Sequence, residues 1–405
     1  MKIIYLHQYF NTPSMYGGTR SYEMGRRFVD WGHEVHMITS DRSESTDKTD
    51  WYRTEESGIQ VHWLPVAYSN KMGFKNRVKA FLKFATYASS KAASLEGDVV
   101  FATSTPLTIA IPGIFASKIK GRPMVFEVRD LWPELPIAIG ALQNKLLIYM
   151  AQWLERRAYN NASQVVALSP GMKAGILRTG YPENKVHMIP NSCDIGLFDV
   201  PEEEGLKFRK NHEWLGDRPL VIYAGTFGKI NDVCYLVRVA AEMKKIAPEV
   251  RFLIVGRGAE EQKIRSLAKE LDVLNSNVFM PGKLAKEEMP ALFSAADITT
   301  SLFMDLEEMW ANSANKFFDG LASGTPIAIN YYGWQAEVLQ ENDAGLVIPP
   351  NDFKKAAAKL SEHLSDKKWQ KRAGKNAKSL AKERYNRNLL AKQLEAALLA
   401  AVENA

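Results

Sequence analysis

Cysteine is scarce in this chain of 405 residues: Cys193 and Cys234 are the only two, far apart in sequence. That excludes a disulfide framework and metal-ligand spacing, and a reducing cytoplasm is the simplest setting. Long apolar runs are missing too, with none reaching the ~18 residues that span a bilayer. The opening Met1-Lys2 leads straight into Ile3, Ile4, Tyr5 and Leu6, which read as a strand; the stretch is too short for a signal peptide. Charge of one sign is in small excess, a net +6. This suits attraction to phosphates or anionic surfaces and does not argue for nucleic acid. The dinucleotide fingerprint G-x-G-x-x-G is absent after the first strand, which disfavours a nicotinamide dehydrogenase. No short-period repeat or low-complexity run occurs.

What is present is an alternation of short apolar strands and amphipathic helices, the pattern of parallel sheets with crossover helices. A hydrophobic content of 46% and a charged content of 24% are those of a globular protein, and the length predicts two domains. One series of strands is expected at Ile3–Leu6, Val35–Thr39, Val99–Ala102, Met124–Val128 and Val165–Leu168. A second is expected at Leu220–Ala224, Phe252–Val255, Val278–Met280, Ile298–Ser301 and Ile327–Ile329. Between them Asp199–Pro219, charged and with two prolines, reads as a linker. From Asp352 the chain reads as helical in about three pieces. Two doubly wound domains in tandem make a cleft between them the default ligand site.

Ala311 to Asn330 is the most informative stretch, a helix, a tight turn and a buried strand. Asn312 or Ser313 is the expected N-cap. Phe317, Phe318, Leu321 and Ala322 form an apolar stripe, and Gly324 with Pro326 ends the helix. Asp319 follows Asn312 on the same helical face, about 10 Å along the axis. A helix start favours an anion, and a carboxylate two turns on can accept bonds from sugar hydroxyls. That suits a nucleoside diphosphate lying along the helix. The plain alternative is an ordinary amphipathic helix with Lys316 and Asp319 as an exposed pair.

Other motifs fall after strands. Gly17-Gly18 opens a helix, either for ligand approach to the backbone or as a simple hinge. Gly225-Thr226-Phe227-Gly228-Lys229 and Gly256-Arg257-Gly258 follow successive strands of the second half, where amides with Lys229 or Arg257 could hold a diphosphate. Arg129-Asp130 ends a strand of the first half. There Asp130 serves as a base or hydroxyl acceptor, or pairs with Arg129 to cap the turn before Pro133. Asn76–Ser90, with Lys71 and Lys75 upstream, is a basic helix rich in aromatic and aliphatic residues. It reads either as a surface for an anionic bilayer or as a core-facing helix with a solvated lysine face.

Taken together these residues resemble glycosyltransferase family 4, the retaining enzymes of GT-B fold. The markers are Tyr16-Gly17-Gly18, Trp31-Gly32-His33-Glu34-Val35, Leu168-Ser169-Pro170-Gly171-Met172, Ile189-Pro190-Asn191 with Asp194 and Phe198, Phe252 to Gly258, and Ala322-Ser323-Gly324-Thr325-Pro326. Asp130 to Glu134 and Asn315 to Asp319 look like the branch serving lipid-linked O-antigen or capsule repeats, including N-acetylfucosamine transferases.

The resemblance implies an α/β GT-B fold of two Rossmann-like doubly wound domains facing across a cleft. Residues 1–198 would bind acceptor, with the helix at 385–405 returning to pack on them, and residues 216–384 would bind donor. The implied donor contacts are Gly17, Gly18, Gly225, Thr226, Gly228, Gly256, Arg257, Asn312, Ser313, Asn315 and Asp319. The implied catalytic groups are Asp130, Arg129, Lys229 and Lys316. Two departures matter. Asp319 holds the position of a ribose-binding glutamate, but Ala311 stands where the family often has a second glutamate for the donor sugar. Thr226 and Asn231 stand where an Arg and a Lys are common, so the phosphate charge falls to Lys229, Arg257, Lys316 or amides.

The implied function is metal-independent transfer of a sugar, of the N-acetylated amino type, from a nucleoside diphosphate to a polyprenyl-diphosphate-linked glycan. UDP is the expected carrier, with no cofactor. The enzyme would sit in the cytoplasm, peripheral on the inner face of the plasma membrane, with an anionic membrane surface as partner and no nucleic acid. A nucleotide-sugar epimerase of the same architecture, or a subunit that binds nucleotide sugar without chemistry, remains open.

Overall fold

The computed structural model describes residues 1–404 apart from 16, 44, 45, 70 and 71, and only the backbone of Phe74. The chain divides into two compact units, Met1–Pro190 with Asn388–Ala405, and Asn191–Arg387.

The first unit is built on eight strands: β1 (Lys2–Leu6), β2 (Glu34–Asp41), β3 (Tyr52–Glu56), β4 (Ile59–Pro65), β5 (Val99–Ser104), β6 (Met124–Val128), β7 (Gln164–Ala167) and β8 (Val186–Met188). Their order is β3-β4-β2-β1-β5-β6-β7-β8. All pairings are parallel except β3 with β4. The sheet carries α1 (Arg20–Asp30), α2 (Phe74–Ser94), α3 (Ala110–Lys120), α4 (Glu134–Ala138), α5 (Lys145–Asn160) and α6 (Pro170–Arg178). Strands β5 and β6 are buried along their whole length, as parallel strands covered on both faces must be. The β3–β4 hairpin and β8 were not expected from the sequence. The hairpin turns at Ser57-Gly58, both with positive φ, the pair of left-handed residues that a type I′ turn requires.

The second unit has six parallel strands: β9 (Leu220–Ala224), β10 (Arg251–Val255), β11 (Val278–Gly282), β12 (Ile298–Ser301), β13 (Ile327–Ile329) and β14 (Gly345–Val347). They lie in the order β11-β10-β9-β12-β13-β14. Its helices are α7 (Ile195–Phe198), α8 (Glu202–Lys210), α9 (Val233–Ile246), α10 (Glu261–Glu270), α11 (Met289–Ala295), α12 (Asn315–Ser323), α13 (Trp334–Glu341), α14 (Phe353–Ser365) and α15 (Lys367–Glu383). The last helix, α16 (Arg387–Glu403), belongs to the first unit from Asn388 onward. There Leu390, Leu394 and Leu398 enter the core, and Glu395 bonds His33 at 2.7 Å.

The stretch expected as a linker is folded. Helix α8 packs on α11 so closely that a Cβ on Gly205 would lie 2.6 Å from the Ser294 carbonyl carbon. Arg209 pairs with Asp297 at 2.8 Å and bonds three backbone carbonyls. The charge of this stretch, which read as that of a linker, serves helix termini and this bridge: three glutamates open α8 and three basic residues close it.

A buried ion pair fastens the centre of the first unit. Arg20, at the start of α1, lies 2.9 Å from Glu127 in β6, and both side chains are almost inaccessible. Arg20 also donates to the Ile189 and Pro190 carbonyls, and Thr103 donates to Glu127 at 2.6 Å. Burial alone would raise the Glu127 pKa; the charges of Arg20 and Arg129 with these hydrogen bonds outweigh it and lower it. A pair so fully satisfied stabilises mainly against its own half-removal, which strands a buried charge. Glu127→Ala is therefore expected to cost about 3–5 kcal/mol, read as a lower urea midpoint for unfolding of this unit. A shift below about 1 kcal/mol would show that Arg20 re-pairs without Glu127.

Candidate functional site

In an open parallel sheet, ligands bind beyond the strand C-termini where the strand order reverses. In the second unit that point lies between β9 and β12, and in the first between β1 and β5.

At the β9–β12 point three glycines set the geometry. Gly256 has φ +146°, and a Cβ there would stand 1.8 Å from the Gly225 carbonyl oxygen. A Cβ on Gly258 would stand 2.3 Å from the Phe227 carbonyl oxygen. The two loops are also joined by Gly225 N–H to Val255 O and Phe227 N–H to Arg257 O, both 2.9 Å. These glycines thus let backbone meet backbone. The same packing leaves Thr226, Lys229 and Arg257 exposed and Gly228 half-buried.

Lys316 reaches this point from α12. Its chain lies over Gly225, where a Cβ would meet its Cε at 2.8 Å. Its ammonium stands 5.4 Å from the centre of the Tyr223 ring and 5.9 Å from that of Phe303, residues at the ends of β9 and β12. Burial pushes its pKa down to about 8, opposed by Asp319. It remains charged at neutral pH, held by aromatic faces.

Helix α12 differs from expectation at its start. It begins at Asn315, after Ala314, with no side-chain cap. Asn312 sits before the helix and folds its own loop, donating to the Met309 carbonyl and accepting from Ala314 N–H at 3.0 Å. Ser313 accepts from Asn191 N–H at 3.0 Å. The expected cap residues are thus engaged in an Asx turn and a tie to Asn191, so Asp319 and Asn312 do not share a helical face. Exposed Asn315 opens the helix instead. The end is as expected: Gly324, φ +70°, closes α12, and Phe317, Phe318 and Leu321 are fully buried, each contributing roughly 1.5–3 kcal/mol.

Asp319 is half-buried, and among the described residues no hydrogen bond or ion pair engages its carboxylate. The Lys316–Asp319 pair of the plain alternative is not made, because Lys316 turns to the β9–β12 point. Burial raises the Asp319 pKa to about 6, with Arg387 and Lys316 opposing.

In the first unit the corresponding end holds Arg129 and Asp130, both half-buried. They do not pair with each other. Arg129 donates to His7 Nε2 at 3.2 Å, and Thr105 donates to Asp130 at 3.4 Å. Burial raises the Asp130 pKa to about 6. Burial and the charges of Arg129 and Arg42 hold His7 neutral. With Nε2 accepting, its proton is on Nδ1, which has no partner among the described residues, and neither amide atom of fully buried Gln8 has one there. Buried polar atoms are ordinarily hydrogen-bonded, to protein or to water. His7 and Gln8 escaped the sequence reading; their signal was position, as the first polar residues after β1. Gly17, φ +129°, and Gly18 are exposed before α1, held by Asn11 donating to the Gly18 carbonyl at 3.2 Å. Tyr16 lies outside the described residues.

The basic stretch on α2 divides cleanly. Ala80 and Phe84 are in the core, and Phe81 stacks on Tyr68, centroids 5.7 Å apart. Lys75, Lys79 and Lys83 are exposed. Part of the expected membrane surface, Phe84 above all, is therefore core, while the lysines meet solvent with Leu82 and Tyr87, each about half exposed; Lys71 is outside the described residues. No group of three or more His, Cys, Asp or Glu among the described residues could hold a metal.

Residues 17–192 match the Glycosyl transferase 4-like domain, and residues 206–380 match Glycosyl transferases group 1. The alpha-D-kanosaminyltransferase of Streptomyces kanamyceticus is 22% identical over 69% of this chain and 70% of its own. The GDP-mannose-dependent alpha-(1-6)-phosphatidylinositol monomannoside mannosyltransferase of Mycolicibacterium smegmatis is 24% identical over 66% of this chain and 67% of its own. Among solved structures, Anabaena HepE in complex with UDP and glucose superposes with a TM-score of 0.73 at 17% identity, covering 99% of this chain and 100% of that one. The fold is GT-B.

An unengaged carboxylate on α12 predicts a pH signature. If Asp319 takes ribose hydroxyls, Asp319→Ala should weaken donor binding by about 1.5–3 kcal/mol, the range for charged hydrogen bonds. Because only the ionised form accepts well, wild-type affinity should fall as pH drops through about 6, and Asp319→Asn should remove that dependence. Calorimetry giving equal affinities for wild type and Asp319→Ala would contradict the assignment.

Proposed function

Since the chain belongs to the glycosyltransferases, with a 4-like domain followed by a group 1 domain, we propose that it is a retaining enzyme that moves a sugar from a nucleoside diphosphate to a lipid-diphosphate-linked glycan. One observation carries the donor half: α12 places a cation at the β9–β12 point and an unengaged carboxylate one turn further along. Lys316, with exposed Lys229 and Arg257 and the uncapped start of α12, meets the diphosphate. Asp319 receives the ribose.

The chemistry breaks the bond between the anomeric carbon and the diphosphate oxygen. It forms a bond from an acceptor oxygen to that carbon on the same face. The cations stabilise the departing charge as it develops, without requiring a metal. The acceptor proton passes to a phosphate oxygen of the leaving group. Asp130 orients the acceptor hydroxyl or stabilises the reacting centre. Arg129 is held by neutral His7, and Nδ1 of His7 with the Gln8 amide offers bonds to substrate hydroxyls.

The lipid acceptor is supported by the relative that acts on a phosphatidylinositol monomannoside, and UDP by the HepE complex. An N-acetylated amino sugar and a role in O-antigen or capsule synthesis rest on Asp130–Glu134 and Asn315–Asp319, as neither relative described above is an N-acetylfucosamine transferase. No helix among the described residues is long and apolar enough to cross a membrane. We place the enzyme at the inner face of the plasma membrane, held peripherally.

The test is incubation with a panel of nucleotide sugars and lipid-diphosphate acceptors, followed by mass spectrometry and NMR of the new anomeric centre. The account expects an acceptor-dependent product with the donor's configuration. Isomerisation of donor alone would favour an epimerase, and binding without turnover a non-catalytic subunit. Asp130→Asn should lower turnover far more than donor affinity. A loss of thermal stability with unchanged turnover per folded molecule would assign Asp130 to the turn instead.

A further inference from the structure

The outer surface of the first unit carries an apolar stripe that the transferase reading does not use. On α5, Leu146, Tyr149, Met150 and Trp153 follow helical spacing yet face solvent, 66%, 66%, 54% and 53% exposed. On α3, Ile111, Phe115 and Ile119 repeat at one-turn intervals on its exposed side, with Ile119 60% exposed. Helix α2 packs on α3, and α3 on α5, so these stripes and the α2 lysines are neighbours. Leu82 and Tyr87 of α2, each about half exposed, continue the apolar part. Isolated apolar residues on a surface need no explanation, but adjacent helical stripes of them do.

Charge says what covers this face. The three helices hold ten basic residues and a single acid, Glu155, which is buried. Exposed Lys75, Lys79 and Lys83 lie on α2, Lys118 and Lys120 on α3, and Lys145, Arg156 and Arg157 on α5. Arg157 lies over the Trp153 ring at 5.3 Å. A two-fold dimer through this face would set it against itself, basic against basic. An anionic surface with an apolar interior matches both components, and Trp, Tyr and long basic side chains are the residues that settle where water meets lipid.

We propose that the solvent faces of α2, α3 and α5 form a docking surface for an anionic bilayer. Leu146, Tyr149, Met150 and Trp153 enter the headgroup boundary, and the lysines and arginines contact lipid phosphates. The surface differs from the α2 stretch alone: α2 contributes mainly charge, and α3 and α5 contribute the apolar residues. The proposal deepens the lipid-acceptor reading and rests on it for the purpose of docking.

The experiment is co-sedimentation of the full-length protein with vesicles of phosphatidylcholine, with and without phosphatidylglycerol, over a range of salt. Binding is expected on the anionic vesicles, weakening with salt. The variant Leu146→Ser/Tyr149→Ser/Trp153→Ser removes three apolar side chains from an already exposed face and should keep the wild-type circular dichroism and melting temperature. Its partition should fall at least about a hundredfold, since withdrawal of each such side chain from water contributes around a factor of ten. Brominated acyl chains should quench wild-type fluorescence more than that of Trp153→Phe. Unchanged partition of the folded triple variant would overturn the proposal, as would a dimer in light scattering that this variant abolishes. The two readings separate: vesicle binding with no transfer to any lipid-diphosphate acceptor would remove the acceptor assignment alone. Transfer without α5-dependent binding would remove the docking face alone.

Discussion

The constraint on which the donor end depends is the contact of backbone with backbone between the loops after β9 and β10. With the Gly225 carbonyl where a Cβ of Gly256 would be, any side chain at 256 forces the loops apart. Their contact leaves Gly225 as a floor without a side chain, and Lys316 lies across it between Tyr223 and Phe303. Had Gly225 a Cβ, the lysine would have to lift off both rings. The cation at the switch point is therefore placed by what three residues lack. Thr226 and Asn231, which stand where the family resemblance implies basic residues, bring no charge here: Asn231 is buried, and Lys316 brings one from α12 in addition to Lys229 and Arg257 of the loops.

The two units reach comparable ends by different means. In the second, burial lowers a lysine and raises an aspartate on one helix, so charge is held ready but incompletely satisfied. In the first, the charge closest to the sheet centre is fully satisfied in the Arg20–Glu127 pair, which fixes α1 against β6. The next residues along β6, Arg129 and Asp130, are left half-buried with partners on neighbouring strand ends. A rigid, satisfied pair beneath a less satisfied one is the arrangement expected where a group must be positioned and still meet a substrate.

Much of this was legible in the sequence. All ten expected strands are present, because a parallel strand buried on both faces writes itself as a short apolar run between turn residues. The end of α12 was legible because Gly324 and Pro326 carry conformational requirements that do not depend on context. Its start was not: Asn312 and Ser313 have the chemistry of caps, but Asx and serine side chains serve loops equally well, and the tertiary tie to Asn191 decided between them. The β3–β4 hairpin was hidden by Tyr52–Glu56, whose alternating pattern lacks an apolar run, though Ser57-Gly58 marked the turn. The charge and prolines of Asp199–Pro219 read as a linker, although three glutamates ahead of three basic residues are also the pattern of a helix whose ends match its dipole. For α2 the aromatic residues were visible, but which side of the helix met the sheet was not. The exposed stripe on α5 drew no notice because apolar helical spacing ordinarily signals a core.

The central claim is that a diphosphate lies on Lys316 while a ribose lies on Asp319, two separable contacts of one helix. Calorimetry of Lys316→Ala with UDP and with uridine separates them. The account predicts that UDP loses at least about tenfold in affinity, as removal of a charged hydrogen-bond partner implies, while uridine binds as to the wild type. Equal losses for both ligands, or none for either, would contradict it.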